Sequence, residues 1–222
     1  LCGNPYWTMD IGGFCVEIRY ANAQRFYDRS HVETADLKEW RELQTRWYQF
    51  GTFCPLYRAH GQFPLREVWN IAPADHPAYK SIVYYNRMRY RLMPYIYSLA
   101  GQAWLNGSVI MRGLVMDYTE DSIARNISDQ YMFGPSLMVC PVYEYGDTTR
   151  TVYLPEGKIW YDYYTDSTYW GGQTIEADAP YERIPLFVPS GAILISGRDV
   201  HYVDEHAADV LTVDLYAGSE GH

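Results

Sequence analysis

No apolar run in this sequence approaches the roughly 18 residues that a membrane-crossing helix requires. Basic clusters are also missing: 18 Lys and Arg face 27 Asp and Glu, and the formal charge is −9. That balance argues against a nucleic acid or an anionic membrane as partner. Arginine is scattered singly, the distribution of residues with structural work to do. The four cysteines (Cys2, Cys15, Cys54, Cys140) have the spacing of neither a zinc motif nor a disulfide framework. They read as structural thiols and imply no metal and no cofactor. P-loop, nucleophile elbow and dinucleotide fingerprint are all lacking, and Gly12-Gly13 alone does not make a phosphate cradle. There is no internal repeat and no low-complexity segment. The chain opens on Leu1 with no signal-peptide pattern behind it and closes on a strand-like run, as a piece of a longer polypeptide would.

What is present is a globular composition of 222 residues, 48% hydrophobic and 20% charged, enough to bury a core. Aromatic residues are abundant: 23 Tyr, 7 Trp and 7 Phe. Tyr and Trp join an apolar face to a polar handle, which suits both a core and a sugar ring.

The pattern changes near Gly107. Before it, short apolar runs alternate with helical periodicity. Pro5–Met9 reads as a strand delivering Asp10 into the loop Ile11-Gly12-Gly13-Phe14. A polar stretch covers Arg19 to Glu33. A helix follows over 35–50, with Leu37, Trp40, Leu43, Trp47 and Phe50 on one face, Thr34 as cap and Gly51 as stop. Thr52–Tyr57 reads as a second strand ending at Arg58-Ala59-His60-Gly61. A helix opens at Pro77, and Pro94 divides it. Strand, helix, strand, helix is the grammar of parallel α/β units, and about a hundred residues hold a quarter of an eight-fold barrel. After Gly107, short β-rich runs (Val109–Asp117, Ser136–Tyr143, Thr149–Leu154, Ile159–Tyr164, Ile184–Val188, Val210–Tyr216) alternate with Pro/Gly turns, as in an antiparallel sandwich. The fold class is α/β plus all-β, with a barrel portion at 1–107 and a sandwich at 108–222. Residues 1–107 alone are expected to aggregate or remain molten, and the β-rich half to be able to fold by itself.

In a parallel barrel, functional side chains sit where strands run into their following loops. Asp10 and His60 occupy such positions. Asp10 either accepts hydrogen bonds from sugar hydroxyls or caps its own loop. His60, with Arg58 two residues before it, either donates to a hydroxyl or carboxylate or is a structural hydrogen-bonder. Phe14 is a stacking platform or plain core, and pattern alone favours core. Asp117, Glu120 and Asp121 read as a solvated turn, Asp162 and Asp166 as a hairpin, and His201, Asp204, Glu205 and His206 as an exposed loop rather than a metal site.

Several segments resemble glycoside hydrolase family 31, the retaining α-glucosidases and α-xylosidases. They are Trp7-Thr8-Met9-Asp10-Ile11-Gly12-Gly13-Phe14, the run from Arg46 to Leu56, Arg58-Ala59-His60-Gly61, Arg91-Leu92-Met93-Pro94-Tyr95-Ile96-Tyr97, and Ile184 to Ile193. The resemblance implies the last two strand–helix units of a (β/α)8 barrel followed by the proximal C-terminal β-sandwich. It also implies that Asp10, Phe14 and His60 line or support the −1 sugar subsite, with Arg58 orienting them. A retaining glycosidase needs two carboxylates about 5–5.5 Å apart. In the family both lie on earlier strands, so this chain has no catalytic carboxylate and is expected to be inactive alone, dependent on upstream barrel strands of the same polypeptide.

The stretch from Arg19 to about Trp40 is longer than in many family α-glucosidases and looks more like bacterial α-xylosidases acting on xyloglucan oligosaccharides. Its Tyr20, Phe26 and Tyr27 either stack on sugars or pack on the barrel rim. The expected activity is release of terminal α-linked xylose from oligosaccharides. An α-glucosidase and a non-catalytic carbohydrate-binding module are the alternatives, and a secreted or periplasmic location would suit polysaccharide breakdown.

Overall fold

Two extended segments run side by side near the start of the chain, too irregular to form full strands. In the computed structural model, which describes residues 3–205 and 209–218, Leu56 N donates to Trp7 O (3.2 Å) and Ile11 N to Arg58 O (3.1 Å). Ile11 and Ala59 pair in parallel. The first contact falls within the expected strands at 5–9 and 52–57, but the paired residues, Ile11 and Ala59, lie just beyond them. The displacement comes from the helix between them. Gly51 does not stop it: α2 runs from Ala35 to Thr52. A Cβ on Gly51 would lie 2.6 Å from Ile11 Cδ1, so the glycine is a notch that lets the first segment press against the helix.

The start of α2 is as the sequence implies, with Thr34 Oγ1 accepting from Leu37 N (3.3 Å). The polar stretch before it is instead a helix, α1 (Ile18–Ser30). Its buried face is Tyr20, Ala21, Ala23 and Gln24, small or polar residues that hide the helical period. Tyr20 and Ala23 pack on Leu37 and Trp40. A single turn, α3 (Val68–Ile71), precedes α4 (Pro77–Arg91) and α5 (Met93–Asn106). Pro94 lacks the N–H that a continuous helix would need, so the break falls at Leu92. Gly107, with φ 66°, ends α5.

The rest is antiparallel. After β1 (Met111–Gly113) a short helix, α6 (Leu114–Asp117), takes the end of a run expected to be all strand. Then come β2 (Tyr131–Phe133), β3 (Leu137–Val139), β4 (Thr149–Leu154), β5 (Ile159–Asp162), β6 (Thr168–Trp170), β7 (Gln173–Asp178), β8 (Leu186–Pro189), β9 (Ile193–Ser196) and β10 (Thr212–Leu215). A six-stranded sheet has the order β1-β2-β3-β8-β5-β6, while β4–β7 and β9–β10 form two-stranded sheets.

The register of the large sheet assigns its faces. Tyr131 pairs with Val139 and Val139 with Leu186, while Met132 pairs with Met138 and Met138 with Phe187. Tyr131, Phe133, Leu137, Val139, Leu186 and Val188 join Tyr85, Met88, Leu92 and Tyr95 of the helices in one core. Met132, Met138, Phe187 and Trp160 face Val152, Leu154 and Ala177 of β4 and β7 in another. The sheet is covered on both sides. The β-rich half therefore does not have a self-contained core: one face of its main sheet is closed by α4 and α5.

Buried arginines tie the layers together. Arg46 of α2 donates to the carbonyls of Asp147 and Ala179 (both 2.9 Å), Pro180 (3.0 Å) and Arg183 (2.9 Å). Arg89 of α4 donates to the carbonyls of Thr52 (2.8 Å), Cys54 and Pro55 (2.8 Å), fixing the chain as it leaves α2. Asp121, expected in a solvated turn, is buried. Burial works to raise its pKa, but it accepts from Ala124 N (3.0 Å), Glu156 N (2.9 Å), Tyr153 Oη (2.8 Å) and Ile123 N (2.9 Å), and these bonds hold its carboxyl below the usual value. Asp162 caps its hairpin as expected, accepting from Tyr164 N (2.8 Å) and Thr165 N (2.9 Å). Cys54 and Cys140 are buried free thiols, each pushed up to about 12 by burial, and Cys15 is exposed. Cys2 and His206 lie outside the described residues. No helix among the described residues is long and apolar enough to cross a membrane.

Phe133, fully buried with ring centroids 6.0 Å from Phe53 and 6.2 Å from Tyr95, stands where sheet and helices meet. Phe133→Ala is expected to cost about 3–5 kcal/mol and Phe133→Leu under about 1.5 kcal/mol in denaturant unfolding. Equal losses would show that the two layers are not packed as described. A second prediction concerns His76, whose Nδ1 accepts from Ala78 N (3.0 Å) and caps α4. Burial, then Arg41, lowers its pKa, opposed by Glu33 at 3.3 Å and by Asp75. The neutral ring is the capping form, so its contribution is complete above the unfolded value near 6.5 and is lost as pH falls below it. The unfolding midpoint of His76→Asn, which keeps a capping acceptor, is expected to depend less on pH in that range than the wild-type midpoint.

Candidate active site

Asp10 ends the first extended segment. The chain turns immediately after it, with Gly13 N bonded to Asp10 O at 2.8 Å and positive φ at Gly12 and Gly13 (87° and 75°). Its carboxylate does not cap this loop: its hydrogen-bond partner among the described residues is the Arg58 guanidinium, on the neighbouring segment. Arg58 is exposed, so the pair orients the carboxylate more than it stabilises the fold. Phe14 is 49% exposed and not core. Its ring faces His60 at 5.5 Å between centroids, with the planes inclined at 44°. The two loops thus place a carboxylate–guanidinium pair and an aromatic–imidazole pair at neighbouring strand ends.

What holds these loops together was not visible in the sequence. Gln62 N donates to Phe14 O (2.8 Å), and Arg66, 4% exposed, donates from Nη2 to Gly13 O (2.6 Å) and from Nη1 to the carbonyls of Gln62 and Pro64. The guanidinium lies 5.3 Å from the Trp40 ring centroid, and burial lowers its pKa. Gly61 permits the contact: a Cβ there would lie 2.6 Å from Gly13 O and 2.7 Å from Arg66 Nη2. An arginine between two loops reads as exposed, and only its company of Gly61 and Pro64 hints otherwise.

The most spacious cavity described, about 730 Å³, lies beside α2 and the segment 141–145 and is lined by Trp7, Trp47 and Tyr143 among others. None of Asp10, Phe14, Arg58 or His60 lines it. Of the long stretch after Phe14, Tyr20 is buried with its hydroxyl bonded to Glu39 (2.7 Å), which removes it as a stacking surface, while Phe26 remains 44% exposed.

Residues 1–99 match the family model described as the glycosyl hydrolases family 31 TIM-barrel domain, and residues 107–194 match the glycosyl hydrolase family 31 C-terminal domain. The chain belongs to glycosyl hydrolase family 31. The family's architecture accounts for both parts of the fold, the two parallel units as the end of the barrel and the antiparallel layers as the β-sandwich. This family 31 chain is 37% identical, over its whole length, to the α-xylosidase of Saccharolobus solfataricus, of which it spans 28%. The crystal structure of a family 31 α-xylosidase from Xanthomonas citri superposes with a TM-score of 0.89 at 52% identity, over 96% of this chain and 22% of that one. A family 31 dextranase from Flavobacterium johnsoniae, complexed with isomaltotriose, superposes with a TM-score of 0.83 at 34% identity, over 97% of this chain and 24% of that one. The chain therefore spans about a quarter of the length of each of these relatives.

Removing the Arg66 donors should loosen both loops. Arg66→Met leaves three carbonyls without their donor and is expected to cost at least about 1–3 kcal/mol. Amide exchange at Gln62 should accelerate with it. Unchanged protection of Gln62 in the folded variant would show that Arg66 does not hold the loops.

Proposed function

We propose that this chain is part of a retaining, exo-acting α-glycosidase that releases terminal α-linked xylose from oligosaccharides, and that it supplies one wall of the −1 subsite. The observation that carries this reading is the placement of the Asp10–Arg58 and Phe14–His60 pairs at adjoining ends of two parallel segments in a family 31 chain. His60 donates an imidazole N–H to a sugar hydroxyl. Phe14 offers its exposed face to the ring's C–H surface. Asp10 accepts from hydroxyls, and Arg58 holds Asp10 in orientation. Asp10 is read as a binding residue and not as the nucleophile. The catalytic carboxylates belong to barrel strands that precede this chain, and the isolated chain is inactive. We place the junction between barrel end and sandwich at Gly107. The similarity to proteins named as α-xylosidases supports xylose as the sugar released.

The test is hydrolysis of 4-nitrophenyl α-xyloside against 4-nitrophenyl α-glucoside by the full-length gene product, with His60→Ala alongside. Preference for the xyloside is expected, with a loss above about 2 kcal/mol of transition-state stabilisation in the variant. Preference for the glucoside would keep the glycosidase and overturn xylose. A folded protein that cleaves neither would turn the reading toward a carbohydrate-binding module.

A further inference from the structure

Between α1 and the loop that follows His60 lies a groove of about 320 Å³, large enough for a small ligand. Tyr27, Phe63, Leu65 and Trp69 give it apolar faces, and Gln24 and Asp28 give it polar groups. Two of the faces are held by guanidinium groups. The Arg41 guanidinium lies 4.6 Å from the Tyr27 ring centroid, and that of Arg25 lies 4.8 Å from the Phe63 centroid. Arg41 is itself fixed by Glu33 and by the carbonyl of Ile71 (3.0 Å). Trp69, by contrast, is 70% exposed and Leu65 53% exposed. Gln24 is 7% exposed, donates Nε2 to Asp28 Oδ1 (2.8 Å), and has no donor for Oε1. A buried amide oxygen without a donor is uncommon.

Flat aromatic surface beside amide and carboxylate acceptors is the chemistry that recognises a neutral saccharide, whose ring presents C–H faces and whose rim presents O–H donors. An anion is disfavoured by Asp28 and by the prior engagement of Arg41. The groove is tied to the candidate site through the chain. Helix α1 begins four residues after Phe14, Phe63 comes three residues after His60, and Gln62 N bonds to Phe14 O (2.8 Å). Its two walls are extensions of the loops that carry Phe14 and His60.

We propose that this groove binds an outer sugar unit of the oligosaccharide whose terminal unit is seated beside Phe14 and His60. The ligand class rests on the glycosidase reading, while the groove and the unpartnered Gln24 oxygen stand independently of it. Chain-length dependence is the signature: an aryl glycoside ends before the groove and an oligosaccharide enters it.

The experiment uses the full-length gene product, with Trp69→Ala, which removes an exposed ring, and Gln24→Leu. For each variant the KM for a xyloglucan heptasaccharide is expected to rise at least about fivefold, near 1 kcal/mol, with the KM for 4-nitrophenyl α-xyloside unchanged. If the glucoside proves to be the substrate, isomaltotriose against 4-nitrophenyl α-glucoside takes their place. Equal changes for the long and short substrates, or no change for either, would overturn the groove. If the protein cleaves neither, calorimetric titration with the heptasaccharide and isomaltotriose decides. Binding of either that weakens at least about fivefold in Trp69→Ala keeps the groove and sinks only the hydrolase. No binding by the wild type, or equal binding by the variant, overturns the groove itself.

Discussion

Burial of one sheet on both faces is the constraint from which the rest of the arrangement follows. In β2, β3 and β8 every side chain is buried, with alternate residues serving opposite cores. Such a sheet cannot be left with a wet side, because either face exposes several large apolar residues at once. One face is met by β4 and β7. The other is met by α4 and α5, which also complete the second parallel unit. The helices that carry the chain out of the barrel portion therefore form the floor of the sandwich.

Arginine does at the seams what apolar packing does in the cores. Arg46, Arg66 and Arg89 are buried and direct their donors to backbone carbonyls of loops, where no strand or helix can satisfy those acceptors. A guanidinium suits this role because its donors fan out in a plane and reach several carbonyls at once. Each bridges segments that regular structure leaves unconnected: α2 to the loops of the sandwich, one site loop to the other, and α4 to the end of α2. The site wall is thereby fixed by residues that never touch what it binds.

Much of this was legible from residues in order. Thr34 as a cap, Pro77 as an opening, Pro94 as a break and β4 over 149–154 each follow from a local rule that needs no partner. Asp10 and His60 were legible as strand-end residues with Arg58 beside His60, while pattern alone favoured core for Phe14 and its place in the site came with the family resemblance. Other features depended on partners distant in sequence. Gly51 reads as a helix stop, but its meaning lies in Ile11 forty residues earlier. Helix α1 buries alanines and a glutamine, so its period is quiet. Strand β2 is three residues long and apolar throughout, because both of its faces are covered, and so it lacks the alternation that marks a half-buried strand. Arg66 shows no sign of its role until the two loops meet.

The shared core also says how the gene could be rearranged. A sandwich taken from another family member would arrive with its own set of side chains toward the helices, and Tyr85, Met88, Leu92, Tyr95, Ile96 and Leu99 form the surface they must fit. On the preceding turns of α4, Ala78 and Ile82 fit Ile11 and Tyr48 of the barrel portion instead. Within α4 the change of partner thus falls between Ile82 and Tyr85. Recombination at the glycine where the composition changes would separate a surface from its complement. Phe53 and Cys54 at the end of α2 reach into the same core, so they too are bound to the sandwich, and each substitution on one side of it selects its counterpart on the other.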